Sequence, residues 1–363
     1  MASVTRDQIN AAIQQYIDPC LGQDLVSAKC VKNIAIDGDK VNVEIVLGFP
    51  AAGHVAQLEA QLKEKVAALE GVAQVEISIS SKVEAHTAQK GVKPIAGVKN
   101  IIAIASGKGG VGKSTTAVNL ACALAAEGAT VGILDADIYG PSQPRMLGVN
   151  AKPESKDGKS LEPLVGHGIQ SMSIGYLVEE ETPMIWRGPM VTQALEQLLN
   201  DTQWKDVDYL IIDLPPGTGD IQLTLAQKVP VSGAVIVTTP QDIALLDAKK
   251  ALKMFEKVDV HVLGIVENMS IHICSQCGHE EHIFGKGGGQ SMSDQYGVDF
   301  IGSLPLDIKI REEVDSGRPT VAVDPDGAIA RSYREIARRM AAKLSLRAKE
   351  FSAKFPNIVI QNN

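Results

Sequence analysis

One stretch of the chain, residues 101–126, restricts the fold more than any other. Residues 101–105 are an apolar run that predicts a buried parallel strand, and residues 117–126 predict a buried helix. The segment between them, residues 106–116, reads Ser-Gly-Lys-Gly-Gly-Val-Gly-Lys-Ser-Thr-Thr and contains the phosphate-binding pattern G-x-x-x-x-G-K-[ST]. A strand, this loop and a helix in that order predict a nucleotide-binding α/β domain.

The residue types of this loop match the chemistry of a polyphosphate. Glycine has no Cβ, so the backbone can close around phosphate groups and aim its N–H groups at them from a helix N-terminus. Lys113 is expected to reach the β- and γ-phosphates in catalysis, and the Ser114 hydroxyl is expected to ligate Mg²⁺. The predicted contacts of the loop with ATP are Gly107, Lys108, Gly109, Gly110, Val111, Gly112, Lys113, Ser114 and Thr115.

Lys108 is a second lysine in the loop, where Lys113 already serves the loop's own phosphates. One interpretation of Lys108 is a solvated surface side chain. However, the loop resembles the deviant Walker A motif of the class that includes MinD, ParA and the nitrogenase iron protein. This resemblance implies a homodimer in which Lys108 crosses the interface and acts in catalysis at the partner's nucleotide, as an arginine finger does.

Composition limits the compartment and the partners. The 363 residues have room for two domains, and a net charge of −8 argues against a nucleic-acid surface. Five cysteines in so long a chain do not form a disulfide framework, and no apolar run reaches the roughly 18 residues that span a bilayer. The first residues do not have the pattern of a signal peptide. We therefore expect a cytoplasmic protein with reduced thiols, no nucleic-acid partner and no stable membrane association.

The chain is predicted to have two domains and two connecting or terminal segments. These are a small α+β domain at residues 1–83, a polar linker at 84–98, a large α/β domain at 99–349 and a tail at 350–363. Hydrophobic periodicity in the first domain predicts the order α-β-β-α-β, with a hairpin turn at residues 37–39.

The order of elements in residues 1–83 resembles the small N-terminal domain of some iron–sulfur assembly proteins. Many relatives have a cysteine just after the second strand, where this chain has Gly-Phe-Pro-Ala-Ala-Gly at residues 48–53. Cys20 and Cys30 lie elsewhere, at positions interpreted as core or loop. We therefore expect no metal in this domain and predict that it docks partners or regulates the protein.

Two later predicted strands end in aspartate. Asp135 and Asp137 follow the apolar run at residues 130–134, and Asp213 ends the run that begins at Tyr209. Because ligands of open parallel sheets bind at the carboxyl ends of the strands, these carboxylates should lie near the phosphates. We expect Asp135 to hold a Mg²⁺-bound water, Asp137 to orient the attacking water, and Asp213 to complete the magnesium shell. The alternative for Asp135 and Asp137 is that they cap the segment that follows.

Further strand–helix pairs predict a doubly wound, mostly parallel sheet of the P-loop NTPase type. The Pro- and Gly-rich residues 214–220 are suited to sensing the γ-phosphate as a switch. By resemblance to the class named above, Asn268 would contact the adenine base.

Cys274 and Cys277 form a C-x-x-C pair with four interpretations. A structural disulfide does not fit a reducing compartment. A redox dithiol is typical of the helix start in a thioredoxin-like unit, which this segment lacks. A mononuclear zinc site is a third interpretation, because His279 and His282 are near. However, these two histidines and the two cysteines span only nine positions, far fewer than in a zinc finger. The fourth interpretation is an iron–sulfur cluster.

A [4Fe–4S] cluster generally needs four thiolates, and this chain has no second cysteine pair at suitable spacing. Two chains related by a two-fold axis would supply the missing ligands, because such an interface presents the same pair twice. Lys108 independently indicates a dimer. The two observations converge on one assembly, a homodimer with a cluster bridged by Cys274 and Cys277 of each subunit.

The motifs together resemble the Mrp/ApbC family of iron–sulfur carrier ATPases. They lie at residues 107–116, 135–142, 186–190, 213–220, 268–270 and 283–288, with Cys274 and Cys277. The resemblance covers about residues 95–345. It implies ATP binding, slow hydrolysis, a homodimer and a transient cluster passed from assembly scaffold proteins to apo-proteins.

Two other function classes stay open at this point. A MinD- or ParA-like positioning ATPase is favoured by a stripe of apolar side chains beside arginines at residues 329–344, because a basic amphipathic helix can lie on a membrane. Such a helix more often packs its stripe on its own domain, and this interpretation leaves the C-x-x-C pair unexplained. A nitrogenase-iron-protein-like reductase would use the bridging cluster for electron transfer.

Overall fold

The computed structural model describes residues 4–86, 92–178 and 188–354, with side chains described up to residue 347. The chain groups into two compact units, Met1–His86 with Ala341–Asn363, and Thr87–Met340. The boundary at Met340 lies inside the last helix, Ala328–Lys354, and the predicted bounds of the large domain, residues 99–349, stay a prediction.

The first unit contains a three-stranded sheet. Its elements are α1 (Arg6–Gln14), β1 (Ile17–Asp18), β2 (Gln23–Asp24), β3 (Val31–Asp37), β4 (Lys40–Leu47), α2 (Ala52–Ala67) and β5 (Gln74–Ser81). Thr5 and Gln8 form a capping box that begins α1. Strands β3 and β4 form an antiparallel hairpin that turns at Gly38 (φ 62°), and α2 connects β4 to the parallel strand β5. The predicted α-β-β-α-β order is present, with two short strands added.

The second unit carries the remaining strands and helices. The strands are β6 (Val98–Ala105), β7 (Val131–Asp135), β8 (Leu164–Gly166), β9 (Ile169–Ser173), β10 (Val207–Asp213), β11 (Gly233–Thr238), β12 (Val262–Glu267), β13 (His272–Ile273), β14 (Glu280–Glu281) and β15 (Phe300–Ser303). The helices are α3 (Lys113–Ala126), α4 (Gln143–Met146), α5 (Gly188–Asp201), α6 (Asp220–Lys228), α7 (Asp242–Lys257), α8 (Gly288–Tyr296), α9 (Ile308–Asp315), α10 (Thr320–Val323) and α11 (Ala328–Lys354).

The large unit is built on an eight-stranded sheet in the order β15-β12-β11-β6-β10-β7-β9-β8. Every neighbouring pair is parallel except β8 and β9. In the register of this sheet Asp213 pairs with Asp135 on one side and with Ile104 on the other. The two aspartates therefore lie at the same edge as the loop that follows β6. The predicted doubly wound P-loop NTPase fold with a small α+β N-terminal domain is confirmed.

Burial explains why β6 and α3 lie inside this unit. Residues 101–105 are at most 3% exposed, as expected for a parallel strand covered on both faces. Helix α3 buries side chains around most of its circumference, among them Val118, Leu120 and Cys122, so its Ala- and Leu-rich sequence needs no polar face. The confirmed burial of Cys122 agrees with its interpretation as a core residue.

Helix α11 carries the basic stripe noted in the sequence. Tyr333, Ile336 and Met340 on its apolar side are at most 2% exposed. On its basic side, Arg334 and Arg338 both reach Glu127 Oε1, at 2.7 and 2.6 Å. The apolar stripe is therefore packed within the protein, as the more common interpretation of the pattern expects. Over the residues described, no helix combines the length and the apolar composition needed to cross a membrane.

Candidate functional site

The loop between β6 and α3 surrounds an open pocket of about 280 Å³. Gly110 and Gly112 have φ values of 80° and 79°, a region that residues with a Cβ rarely adopt, and no atom lies within 4 Å of a Cβ built on Gly109 or Gly110. The loop backbone is thus exposed toward the pocket where a phosphate would lie. The pocket is lined by Ser106, Lys108, Gly109, Gly110, Gly112, Lys113, Ser114, Thr115, Asp137, Gly140, Ser142, Met146 and Pro216.

Two predicted contacts of the loop lie beneath its surface. Val111 is 2% exposed, so only its backbone can serve a phosphate. A Cβ on Gly107 would come within 2.0 Å of the backbone of Asp247 in α7, which explains why glycine is required there. The spacing pattern alone does not separate these two positions from those that line the pocket.

Lys113 is held by an acidic partner at the end of a neighbouring strand. Its Nζ lies 2.5 Å from Asp213 Oδ1 and 3.1 Å from Ser114 Oγ. Lys113 is 6% exposed and Asp213 is fully buried. The structure therefore brings together the predicted phosphate-binding lysine and both predicted magnesium-shell residues, the Ser114 hydroxyl and the Asp213 carboxylate.

Gln143 is a member of this network that the sequence analysis missed. Its side-chain nitrogen donates to Asp213 Oδ2 at 2.9 Å and to the Ser114 carbonyl at 3.1 Å. It is 1% exposed and stands at the start of α4, 29 positions after Ser114. No motif marks this glutamine, because its role depends on where the chain returns to the sheet edge after β7.

Asp135 is fully buried beneath the pocket. Its carboxylate accepts hydrogen bonds from the backbone N–H groups of Asp137, Ser142 and Gln143 and from the Ser173 hydroxyl. Burial, and next the nearby Asp213 carboxylate, raises the pKa of Asp135 to about 7. These contacts match the alternative interpretation of Asp135 as a cap for the following segment, and a role in holding a Mg²⁺-bound water stays a prediction.

Asp137 lines the pocket next to the loop, as expected for a group that orients water at the γ-phosphate. Burial raises the pKa of its carboxyl group, although the positive charge of Lys113 acts in the opposite direction. The role in catalysis stays a prediction, and the position of the side chain agrees with it.

Lys108 also lines the pocket and is half-buried. Its carbonyl accepts a hydrogen bond from Ser106 Oγ at 2.9 Å, which fixes the backbone at the start of the loop. Within the described part of the chain, its ammonium group makes no hydrogen bond or ion pair. A lysine at the mouth of an anion site whose ammonium group has no partner among the described residues is consistent with a role at a second chain.

The predicted switch segment is tied to the loop by backbone contacts. Gly217 N donates to the Ser106 carbonyl at 3.0 Å, and Gln222 Nε2 donates to the Pro216 carbonyl at 2.7 Å. Gly217 has a φ of 99°, which requires glycine. The segment after Asp213 therefore lies against the start of the phosphate loop.

Asn268 lies behind the loop. Its Nδ2 donates to the Val111 carbonyl at 2.9 Å, and the side chain is 6% exposed. A Cβ on Gly112 would be 2.2 Å from this nitrogen, so the loop and Asn268 are closely packed. The contact of Asn268 with adenine stays a prediction, and the observed contact with the loop backbone was not expected.

Cys274 and Cys277 lie in a short hairpin formed by β13 and β14. Gly278 N donates to the Cys274 carbonyl at 2.8 Å, and Gly278 has a φ of 71° that closes the turn. Cys277 is exposed and Cys274 is half-buried, and neither is in a disulfide. Both thiols are thus accessible at the surface of the large unit.

The turn surrounds the Cys274 sulfur with hydrogen-bond donors. The backbone N–H of Gln276, and then the N–H and thiol of Cys277, donate to its sulfur and lower the pKa of the Cys274 thiol. His282 Nδ1 contacts the Ser270 carbonyl at 2.8 Å. Among the residues that the structure describes, neither His279 nor His282 joins the two cysteines in a cluster with ligand atoms within 4.8 Å of one another. In the described residues, the two histidines that kept the zinc interpretation open are thus not gathered around the cysteine pair.

One group of predicted motif residues cannot be placed. Trp186 and Arg187 lie outside the described residues, whereas Gly188, Pro189 and Met190 begin α5.

Comparison with known proteins shows the family. Residues 97–341 match the ParA family, described as NUBPL iron-transfer P-loop NTPase, and residues 6–79 match the iron–sulfur cluster assembly protein family. The iron–sulfur cluster carrier protein of Escherichia coli strain K12 is 51% identical over 340 residues, 93% of this chain and 92% of that protein. The mouse iron–sulfur cluster transfer protein NUBPL is 51% identical over 254 residues, 69% of this chain and 80% of that protein.

Solved structures agree with this assignment. A nucleotide-binding protein of Archaeoglobus fulgidus, in complex with ADP and with cobalt found in it, is 40% identical with a TM-score of 0.55, covering 61% of this chain and 88% of its own. The cell division ATPase MinD of Pyrococcus furiosus, at 22% identity and a TM-score of 0.50, covers 66% and 98% and shares the fold. The chain belongs to the ParA family of P-loop NTPases, in the group described as NUBPL iron-transfer P-loop NTPases.

Proposed function

We propose that this protein binds and hydrolyses ATP and carries iron–sulfur clusters to apo-proteins, as a cytoplasmic homodimer. One observation carries the proposal. A pair of thiols at the surface, the half-buried Cys274 and the exposed Cys277, lies on the same unit as a complete phosphate loop, and Cys274 follows by six residues Asn268, whose side chain is bonded to that loop. The bacterial relatives named as cluster carriers match nearly the whole chain, which supports the same function.

The nucleotide part of the proposal rests on the loop and its buried partners. Lys113 would exchange the Asp213 carboxylate for the β- and γ-phosphates, since both are anions within reach of one ammonium group. Asp213 would then be free to join Ser114 at Mg²⁺. Asp137 would orient the attacking water at the mouth of the pocket. The fit of ATP is supported by the exposed backbone of Gly109 and Gly110.

The dimer is supported by two incomplete sites. Lys108 reaches the nucleotide pocket without a partner for its ammonium group in the described part of its own chain. The hairpin supplies two thiolates, whereas a [4Fe–4S] cluster generally needs four. A two-fold axis would complete both sites in one assembly, with Lys108 contacting the partner's nucleotide and four cysteines holding one bridging cluster.

Coupling of ATP turnover to cluster release would pass through Asn268. Its amide holds the Val111 carbonyl of the loop, and its backbone continues directly through Met269 and Ser270 into the hairpin. Met269 has a positive φ of 56°, which is strained for a residue with a side chain. A change in the loop on hydrolysis would therefore be transmitted to Cys274 over a short, bent segment.

The proposal is tested by cluster transfer. The full-length protein is reconstituted anaerobically with iron and sulfide, separated from free iron, and mixed with an apo-enzyme that is active only with its cluster. We expect the activity of the acceptor to appear with the wild type and with Cys30→Ala, whose thiol is buried, and not with Cys274→Ala.

Two results would contradict this proposal. Transfer by Cys274→Ala at the wild-type rate would show that Cys274 does not hold the cluster. Purified protein with one zinc ion per chain at Cys274 and Cys277 that iron and sulfide do not displace would contradict the carrier function, and the protein would then be a nucleotide switch with a structural metal.

A further inference from the structure

A second group of metal-binding side chains lies in the first unit, away from the nucleotide loop and the cysteine hairpin. Asp18, Cys20 and His54 place one carboxylate oxygen, one sulfur and one imidazole nitrogen all within 4.8 Å of one another. Their exposed fractions are 0%, 3% and 4%. Among the described residues, no other group of three or more His, Cys, Asp or Glu side chains brings its ligand atoms within that distance of one another. Surface carboxylates meet often without a metal, but a buried set of three different ligand types is unusual.

Local structure fixes each of the three side chains. Asp18 ends β1, and its Oδ1 accepts hydrogen bonds from the backbone N–H groups of Cys20 at 2.8 Å and Leu21 at 3.0 Å. These bonds hold Cys20 beside the carboxylate and turn Oδ2 toward His54, which lies in the first turn of α2. The distance from Asp18 Oδ2 to His54 Nε2 is 2.9 Å. Backbone donors that orient a ligating carboxylate are the supporting contacts expected around a metal.

Because residues 48–53 lack a cysteine, the sequence predicts no metal in this unit. His54 is the next residue, and the structure brings it across to Cys20 and Asp18, which precede it by more than thirty positions. An imidazole therefore stands next to the segment in which relatives have a cysteine, and the thiol beside it comes from Cys20. No spacing motif joins the three, so only the fold reveals them.

We propose that Asp18, Cys20 and His54 form a buried binding site for one divalent transition-metal ion of the zinc type. One thiolate, one imidazole and one carboxylate are a borderline donor set that suits Zn²⁺, and its analogue Co²⁺, and not Mg²⁺ or Ca²⁺. Metal binding would release the thiol proton of Cys20. Three protein ligands leave a fourth position of a tetrahedral ion for water or for a ligand from outside the chain. The site is independent of the carrier function proposed above.

The test uses Co²⁺ as a probe, because thiolate-bound cobalt has a sulfur-to-metal charge-transfer absorption. The parent is the full-length Cys274→Ala/Cys277→Ala protein, so that the hairpin contributes no thiolate. Cobalt at the nucleotide loop would have oxygen ligands and give no such band. We expect one equivalent of cobalt with the charge-transfer band in the parent. Zn²⁺ should displace the cobalt.

Matched variants in the same background assign the ligands. Cys20→Ser should abolish the band, and His54→Gln should weaken cobalt binding by at least about tenfold. Cys30→Ser is the control, because Cys30 is equally buried in the same unit but does not belong to the group, and it should bind as the parent does. Far-UV circular dichroism confirms that each variant is folded.

The outcomes separate a metal site from a hydrogen-bonded cluster. A folded parent without the band, or a folded Cys20→Ser variant that keeps it, would overturn the proposal, and the three side chains would then only brace β1 against α2. If Cys20→Ser does not fold, Cys30→Ser and Cys122→Ser decide the question. A band that persists in both comes from Cys20 and supports the site, whereas a band lost in either belongs to another thiol and overturns it.

Discussion

The nucleotide loop and the cysteine hairpin of the large unit are built in opposite ways. Around the loop, Lys113, Asp213 and Gln143 are nearly fully buried and joined by short hydrogen bonds. The hairpin that holds Cys274 and Cys277 consists of two strands of two residues each, with one thiol exposed and the other half-buried. The side chains around the nucleotide loop are fixed in place before a nucleotide binds. The two thiols of the hairpin lie at the surface instead.

This difference is what a carrier needs. A site for ATP must hold charges in place, because catalysis by a phosphate loop depends on preorganised groups. A site for transferable cargo must be reachable by the protein that takes it, and two thiols at the surface of a short hairpin would hold a cluster less completely than a four-cysteine cage. The two sites meet at Asn268, which contacts the loop on one side and leads into the hairpin on the other.

The largest effect on the loop is expected from Lys113→Ala. The variant should lose ATP hydrolysis and leave Asp213 as a buried charge without its partner, which destabilises the fold by about 3–5 kcal/mol without nucleotide. Phosphate release and thermal unfolding measure the two effects. Lys156→Ala, an exposed lysine paired with Glu162, is the control and should change neither by a measurable amount. Normal turnover by Lys113→Ala would refute the assignment of the loop.

Lys108→Ala tests whether the loop is complete in one chain. We expect hydrolysis to fall by about 10³-fold or more, as when an arginine finger is lost, with most of the affinity for ATP retained. Mixing Lys108→Ala with Lys113→Ala should restore roughly a quarter of the wild-type rate, because half of the dimers then contain one intact site. A lysine that acts within its own chain gives no restoration in the mixture.

Asp137→Asn keeps the shape of the side chain and removes its charge at the pocket. We expect Mg-ATP to bind normally and hydrolysis to fall by about 10²–10⁴-fold, the usual contribution of a group that accepts or orients a proton. Single-turnover assays separate binding from the chemical step. Hydrolysis by Asp137→Asn at the wild-type rate would contradict this role, and Asp135 or a backbone group of the switch segment would then orient the attacking water.

The smallest effect is expected from Gln143→Leu. Its amide joins Asp213 to the Ser114 carbonyl, and its loss removes the donor to the buried Asp213 Oδ2, at a cost of about 1–3 kcal/mol in the free energy of unfolding. Hydrolysis should fall less than in Asp137→Asn. Gln170→Leu, which loses contacts with the backbone of Lys205 at the surface, is the matched control. Equal unfolding free energies for the two variants would show that the Gln143 network contributes little.

The sequence predicts the loop well because its residues are contiguous. The spacing from Gly107 to Ser114 identifies the glycine turn, the lysine and the hydroxyl, and the two acidic strand ends follow from the sheet topology. The two cysteines are likewise close together in the sequence, in one C-x-x-C pair. These features need no knowledge of distant contacts.

The contacts that were missed all join distant parts of the chain. Gln143 reaches Asp213 across seventy positions, Asn268 reaches Val111 across 157, and His54 reaches Asp18 across 36. Nothing in the residues themselves marks these pairs, since a glutamine, an asparagine and a histidine have many ordinary roles. Asp135 is the opposite case, because the sequence does single it out. Its position at a strand end predicts a magnesium role, whereas its oxygens accept hydrogen bonds from the segment that follows.

The most direct test of the account is the mass of the cluster-loaded protein. Native mass spectrometry after anaerobic reconstitution measures chains and clusters together in the intact assembly. We predict one cluster on dimers, none on monomers, and apo-protein alone for Cys274→Ala/Cys277→Ala. A cluster on single chains, or on the double variant, would contradict a cargo held between two cysteine hairpins.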